Sequence, residues 1–455
     1  MCNNSRLLIF IIIFLISTIS STCSTKSNSA IKREVEQYLS SYTNMDLFSG
    51  SVLVARDGEI IINKGYGMSN YEYDIPNGSH TKFRIASITK TFTAMAIMML
   101  EKQNRLSTND YLSEYLPDYP NGDIIKIMHL LTHSSGIPDH TKLSSFYRER
   151  RVYQTDIINI INEFKDMPLE FSPGKKFSYS NSGYILLGYI IEKVTGESYE
   201  DYLVQNILKP LKMDNTGFEY KGEIIDSLAY GYELNNNKLV KADYRIMSNA
   251  HASGALYSTI EDLYLWDRVL YSENLIAKSA LDRMFTPYND NYGIGWGIVD
   301  LFNRKMVGHN GEIEGFRTNI SRFINDNVCI IILSNNGATS IGKISIDLAA
   351  IVFDEEYPIP GQKQIVKIAP NILDDYVGKY ELKPHFFLTI TSNENRLYCQ
   401  PTGQDKLEIH PESETDFFLT EADVRISFIR DKNDRVVKLL FKQGENEIYA
   451  KKIFK

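Results

Sequence analysis

Zinc-type ligand spacing is missing from this sequence: no Cys-x-x-Cys and no His-Glu-x-x-His occurs, so it offers no zinc signature. Cysteine itself is sparse. Of the four, Cys2 and Cys23 lie in or beside an N-terminal apolar run, whereas Cys329 ("VCIIIL") and Cys399 ("LYCQ") sit in separate strand-like segments. Two buried thiols are expected there rather than a disulfide framework. Positive charge is not concentrated anywhere. The net charge is −8 and no basic block occurs, which argues against nucleic acid as a partner. Long apolar runs are absent too. The strongest, Leu7–Ile19, has thirteen residues, where a membrane span needs ~20. With an Arg before it and small residues after it, residues 1–25 read as a cleaved export signal. A membrane anchor is the alternative. Lipidation at Cys23 is a third reading, against which Ser20 stands where that pattern wants an aliphatic residue. There is no long internal repeat.

What is present is the composition of a globular protein, 43% hydrophobic and 23% charged over 455 residues. That length suffices for one large domain and a smaller one. "IKREVEQYLSSY" reads as an amphipathic helix. "GSVLVARDGEIIINKGYG" reads as a β-hairpin around Asp57-Gly58, a strong turn signal. Residues 106–220 read as mostly helical. "YSTIEDLYLWDRVL" is a helix with Ser258 and Glu261 spaced as a capping box. "YGIGWGIVD", "RKMVGHNG", "FRTNISRF" and "VCIIILSNN" follow as strands, and "SIGKISIDLAAIVF" as a closing helix. Strands thus frame a helical middle, a sheet with helices rather than an alternating βαβ array. Prolines in "DEEYPIPGQKQIVKIAPNILDDY" suggest a linker over 361–370. Beyond it, 371–455 reads as short strands separated by turn residues, a small barrel or sandwich.

Chemistry enters at "FRIASITKTFTAMAIMML". Ser87 and Lys90 are three residues apart, hence on one face of a helix. A serine becomes a nucleophile only when a base takes its proton, and a lysine amine does so only if burial lowers its pKa. The spacing alone is weak. Ser-x-x-Lys occurs five times, also at Ser29/Lys32, Ser79/Lys82, Ser172/Lys175 and Ser340/Lys343. Only Ser87 is followed by ten almost wholly apolar residues, although Ser340 also opens an apolar helix. Tyr179-Ser180-Asn181 offers a phenol and an amide at a helix start, and Tyr-x-Asn occurs three times. His309-Asn310-Gly311 lies on an expected strand, with a glycine for close backbone approach. His309 by itself is as readily a structural histidine.

In this order, Ser87-Ile-Thr-Lys90, Tyr179-Ser-Asn181 and His309-Asn-Gly311 resemble the serine β-lactamase/penicillin-binding superfamily, specifically its class C-like hydrolases. Connecting stretches such as "LLTHSSGIPDH" and "GHNGEIEGFRT" match as well, over about residues 35–360. The resemblance implies an α+β fold: an antiparallel sheet flanked by helices with an all-helical subdomain, over 30–360, followed by a lipocalin-like β-barrel at 371–455. It implies that Ser87 forms an acyl-enzyme and that Lys90 and Tyr179 act as a coupled base. It further implies that Asn181 binds the acyl side chain and that the oxyanion sits between the N–H groups of Ser87 and Glu312, next to Gly311. His309 would orient a substrate carboxylate or Tyr179. No metal or organic cofactor is called for, and the partner is a small-molecule or peptide substrate. Nothing in the sequence specifies an oligomeric state. True class C β-lactamases carry a lysine where this chain has His309. A histidine there is mostly neutral at pH 7 and is expected to gain charge near pH 6. A peptidase (D-aminopeptidase or carboxypeptidase-like) or an esterase is therefore favoured over a β-lactamase, and a penicillin- or wall-binding protein with little turnover remains a further alternative.

Overall fold

A computed structural model of the chain describes residues 26–143, 153–219, 223–235, 238–359, 366–419, 424–443 and 446–453. The N-terminal segment read as signal or anchor, Cys23 included, and the first part of the linker lie outside the described residues.

Helix α1 (Asn28–Asn44) starts where the Ser27 hydroxyl accepts the Ala30 N–H at 3.3 Å. It buries Ile31, Val35, Tyr38, Leu39 and Tyr42, a stripe at helical spacing. Strands β1 (Gly50–Arg56) and β2 (Glu59–Tyr66) form the expected hairpin. Its turn needs two left-handed residues, and Asp57 (φ 56°) and Gly58 (φ 82°) supply them. Four later strands complete an antiparallel sheet: β3 (Gly297–Leu301), β4 (Arg304–Ile313), β5 (Phe316–Phe323) and β6 (Val328–Ser334). The order β3-β4-β5-β6-β1-β2 brings the two ends of the domain together at the β6–β1 pair.

Both faces of this sheet are covered. Val52, Val54, Ile330 and Ile332 pack under α1 and helix α5 (Ile341–Phe353). The residues between them, Leu53, Ala55, Cys329, Ile331 and Leu333, join the larger cluster on the other face. Double burial is why "VCIIIL" is apolar at every position instead of alternating. The second face holds helices α2 (Thr89–Lys102), α3 (Asn181–Thr195) and α4 (Ile260–Val269). Every residue of α2 from Thr89 to Leu100 is buried, as expected of a helix apolar all round. Trp266 of α4 stacks on Phe92 at 4.1 Å. The capping box expected for α4 at Ser258 and Glu261 does not form, and the helix is capped one residue later. Ser258 is held in a strand opposite Phe83, so Thr259 is the first residue able to cap, and it accepts the Asp262 N–H at 3.1 Å. Among the described residues of the middle of the chain, the α-helices apart from α3 are the short runs Ile127–Leu131, Ile157–Asn162 and Tyr199–Leu203, joined by a π-turn at Val204–Leu208, short 3-10 segments and loops, so these residues are less helical than their sequence reads.

The tail is a closed eight-stranded antiparallel barrel in which Gly378–Lys383 pairs with Asn446–Ile453. Helix α6 (Pro370–Tyr376), with proline at its start, contributes Leu373 and Tyr376 to the barrel core, where Tyr376 stacks on Phe428 at 4.1 Å. This helix and the strand Leu407–Pro411 are elements that the sequence pattern did not reveal. Cys329 and Cys399 are buried in different clusters, as the sequence suggested.

Candidate active site

The nucleophile candidate sits on a tight turn rather than inside a helix. The stub Phe83–Arg84 pairs with Leu256–Ser258, and the chain then turns through a short 3-10 segment, Ala86–Ile88, before α2 begins at Thr89. Ala86 has φ 47°, a left-handed conformation costly for a residue with a Cβ. The turn leaves Ser87 half-buried at the wall of a cleft of about 630 Å³.

One turn further on, Lys90 is fully buried. Its Nζ lies 3.0 Å from Ser87 Oγ, 2.8 Å from Asn181 Oδ1 and 2.7 Å from the Ser253 carbonyl, which accounts for all three ammonium donors. It also stands 4.9 Å from the ring centre of Tyr179. Burial pulls the Lys90 amine down to about 7, against the opposing attraction of Asp139. Near neutrality, the neutral amine is therefore a major form of the group that faces the Ser87 hydroxyl.

Tyr179 and Asn181 arrive together because α3 starts at Asn181. The Tyr179 hydroxyl bonds to Ser87, and burial pushes its pKa well above the ordinary phenol range, so it is a neutral phenol at pH 7. The imidazole of His133 lies against its ring, 4.2 Å between centres, and accepts the Ser180 N–H at 3.2 Å. Asn181 directs Oδ1 to Lys90. Its Nδ2 donates to Asp139 Oδ2 at 3.2 Å and to Thr141 Oγ1 at 3.3 Å. The amide expected to meet an acyl side chain is thus held at both ends by the protein.

The third motif comes from an overhang. Pairing of β3 with β4 ends at Gly297↔Gly308, so His309–Ile313 keeps a strand partner on its β5 side only. Its other edge runs beside the Ser87 turn. Gly311 is required there: a Cβ would stand 2.2 Å from the Ile85 carbonyl oxygen and 2.2 Å from Thr318 Oγ1. Thr318 Oγ1 donates to the same Ile85 carbonyl at 3.0 Å, tying β5 to the turn. Glu312 lines the cleft, but its carboxylate is 74% exposed and pairs with Arg317 at 2.9 Å.

His309 departs from expectation. Its Nδ1 lies 2.6 Å from the Asn310 carbonyl and its Nε2 3.0 Å from the Tyr292 hydroxyl. The carbonyl assigns the ring proton to Nδ1, leaving Nε2 to accept from Tyr292. Burial, reinforced by Lys90, pushes the imidazole down to about 3. The sequence-based expectation of a proton gained near pH 6 is corrected accordingly: the buried ring has little solvent to stabilise the charge and an amine nearby opposes it.

Ser87, Lys90, Tyr179, Asn181, His309 and Glu312 all line or adjoin one cleft, and Gly311 lies between them against the Ile85 carbonyl. The rival Ser-x-x-Lys pairs do not form such a site. Ser29/Lys32 and Ser172/Lys175 are exposed, Ser79/Lys82 is half-exposed, and Lys343 pairs with Asp347 at 2.6 Å on an exposed helix face. Asp139, His133 and Tyr292 were not singled out from the sequence. Asp139 and His133 fall within "LLTHSSGIPDH", and Tyr292 is one of 29 tyrosines, so no spacing rule isolates them. Among the described residues, no cluster of His, Cys, Asp or Glu could hold a metal ion.

A family model described as Beta-lactamase matches residues 35–349. The chain belongs to the β-lactamase family of serine hydrolases. A second model, described as a domain of unknown function (DUF3471), matches residues 362–452 of this family member. It is 30% identical over 426 residues to penicillin-binding protein 4* of Bacillus subtilis (strain 168), covering 88% of this chain and 94% of that protein. The octameric penicillin-binding protein homologue from Pyrococcus abyssi superposes with TM-score 0.67 at 25% identity, over 92% of this chain and 99% of that one. The fold is also that of the D-amino acid amidase from Ochrobactrum anthropi SV3, with TM-score 0.63 at 21% identity over 72% of this chain and 99% of that one. Among the described residues, no helix is long and apolar enough to cross a membrane.

Proposed function

We propose that this β-lactamase family member is an exported hydrolase that opens peptide or small ester substrates through an acyl-enzyme on Ser87. The observation that carries the reading is the buried Lys90 amine, 3.0 Å from Ser87 Oγ with its pKa drawn to about 7. Neutral Lys90 accepts the Ser87 proton as Oγ bonds to the substrate carbonyl carbon. The oxyanion forms beside the N–H groups of Ser87 and Glu312, and such donors stabilise charge most where water is excluded. As the intermediate collapses, the neutral Tyr179 phenol gives its proton to the departing amine or alkoxide, and the proton held by the Lys90 ammonium restores the phenol, so that the proton taken from Ser87 ends on the leaving group. Water then attacks the ester, its proton taken by Lys90, and Ser87 is regenerated.

The neutral His309 favours peptides and esters over β-lactams, because a penicillin carboxylate finds no lysine at this position. The likeness to penicillin-binding protein 4* supports a second reading, acylation by penicillins with slow release. Export rests on the composition of residues 1–25.

Intact-mass analysis after treatment with a fluorophosphonate or a penicillin tests the nucleophile. The expected result is one adduct on the wild-type chain, none on Ser87→Ala, and an unchanged yield on Ser340→Ala. An adduct on Ser87→Ala would remove the assignment. Turnover of p-nitrophenyl esters, D- and L-amino-acid p-nitroanilides and nitrocefin separates the hydrolase from the slow binder.

A further inference from the structure

Asp139 takes no part in the steps above, yet its carboxylate is only 7% exposed and one side chain away from Lys90. Its Oδ1 accepts from the Thr141 N–H at 3.1 Å, from Thr141 Oγ1 at 3.0 Å and from the Asn181 N–H at 3.3 Å. Its Oδ2 accepts from Asn181 Nδ2 at 3.2 Å. A carboxamide has one donating and one accepting end. With Nδ2 held by a carboxylate, Oδ1 must face the other way, and there it receives the Lys90 amine at 2.8 Å. The reversed amide would set its NH₂ group against the donors of Lys90 and its carbonyl against a carboxylate.

We propose that Asp139 is a positioning residue of this site: through Asn181 it fixes an acceptor on Lys90, and it supplies the negative charge that balances the ammonium formed when Lys90 takes the Ser87 proton. The proposal rests on the Ser87–Lys90 reading.

The other groups around Lys90 do not duplicate that charge. Tyr179 and Tyr184, from the start of α3 and its first turn, are neutral phenols whose pKa values burial raises. His133, His140 and His309 are all pulled down by burial, and each is opposed further by Lys90. Arg245 reinforces the effect on His140 and is paired with Glu314 at 3.1 Å. On the turn that carries Ser253, His251 is paired with Glu192 at 3.4 Å. Asp139 is the negative charge that opposes burial at Lys90.

The test is the pH dependence of kcat/KM for p-nitrophenyl acetate, measured on the full chain. Removing a nearby negative charge destabilises the ammonium. In Asp139→Asn the acid limb should therefore move about one unit to lower pH, and the plateau should fall about tenfold or more as Asn181 loses its orientation. Asp139→Glu keeps the charge, so its limb should stay at the wild-type midpoint while its plateau falls. An unmoved or raised limb in folded Asp139→Asn overturns the proposal. If that variant does not fold, a displaced limb in Asp139→Glu does so. Failure of the underlying reading is visible separately, as an adduct on Ser87→Ala, whatever Asp139 does.

Discussion

Lys90 and His309 are two bases moved in the same direction by the same burial, with opposite consequences. A lysine starts at 10.5 and arrives at about 7, where it can accept a proton from serine. A histidine starts at 6.5 and arrives at about 3, where it has left the physiological range. The sequence anticipated the lowered lysine, but it also led to the expectation that His309 would gain a proton near pH 6, and burial of the ring opposes that. Residue identity set the starting values, but the number of water molecules each group loses depends on neighbours far along the chain. One expectation follows at this scale. Since His309 stays neutral above about pH 3, the ratio of kcat/KM for a carboxylate-bearing substrate to that for a neutral ester should be flat between pH 5 and 8. Nitrocefin against p-nitrophenyl acetate provides the comparison. A ratio that climbs as pH falls below 6.5 would mean that His309 gains a proton there and binds the carboxylate.

Strand β4 shows what an element contributes that its residues cannot. Its first half is paired on both sides, and its second half overhangs β3 and lies against the Ser87 turn. The glycine that permits this approach was legible in His-Asn-Gly, because a glycine within a strand pattern signals close backbone contact. Gly311→Ala should therefore separate β4 from the turn. Losing one oxyanion donor typically costs ~10²–10³-fold, so acylation should fall by about that much while the protein stays folded. Gly342→Ala is the matched control, since a Cβ there meets nothing within 4 Å on helix α5. Stopped-flow acylation with circular dichroism checks both, and a wild-type rate in Gly311→Ala would contradict the role given to the overhang. Elements with strong local signals were readable: the Asp57-Gly58 hairpin, α2, and the run "VCIIIL". Those fixed by tertiary contact were not. Ser258 cannot cap α4 because the strand opposite Phe83 claims it, and Leu407–Pro411 is a strand only because its barrel neighbours pair with it.

At the scale of the molecule, three distant stretches converge on one amine: the turn at Ala86–Ile88, the start of α3 with Tyr179 and Asn181, and the Ser253 carbonyl. Ser87, Lys90, Tyr179 and Asn181 were picked out in the sequence and the resemblance it carried implied the fold, whereas the Ser253 carbonyl was not singled out. What no pattern disclosed was the orientation imposed by Asp139, because a loop carboxylate acquires that role only when "LLTHSSGIPDH" is folded onto α3. The barrel has its own hydrophobic cluster, drawn wholly from residues beyond 367, and none of the elements that surround Lys90. The lowered lysine is thus a property of the first domain's fold as a whole, and it is the central claim. The most direct test is the single-turnover rate of Ser87 acylation between pH 5 and 10. The rate should rise with pH through one ionisation near 7, the value to which burial draws Lys90, and this limb should vanish in Lys90→Ala. A rate that is level from pH 6 to 8, or one that rises only near pH 10 as for an exposed lysine, would contradict the account.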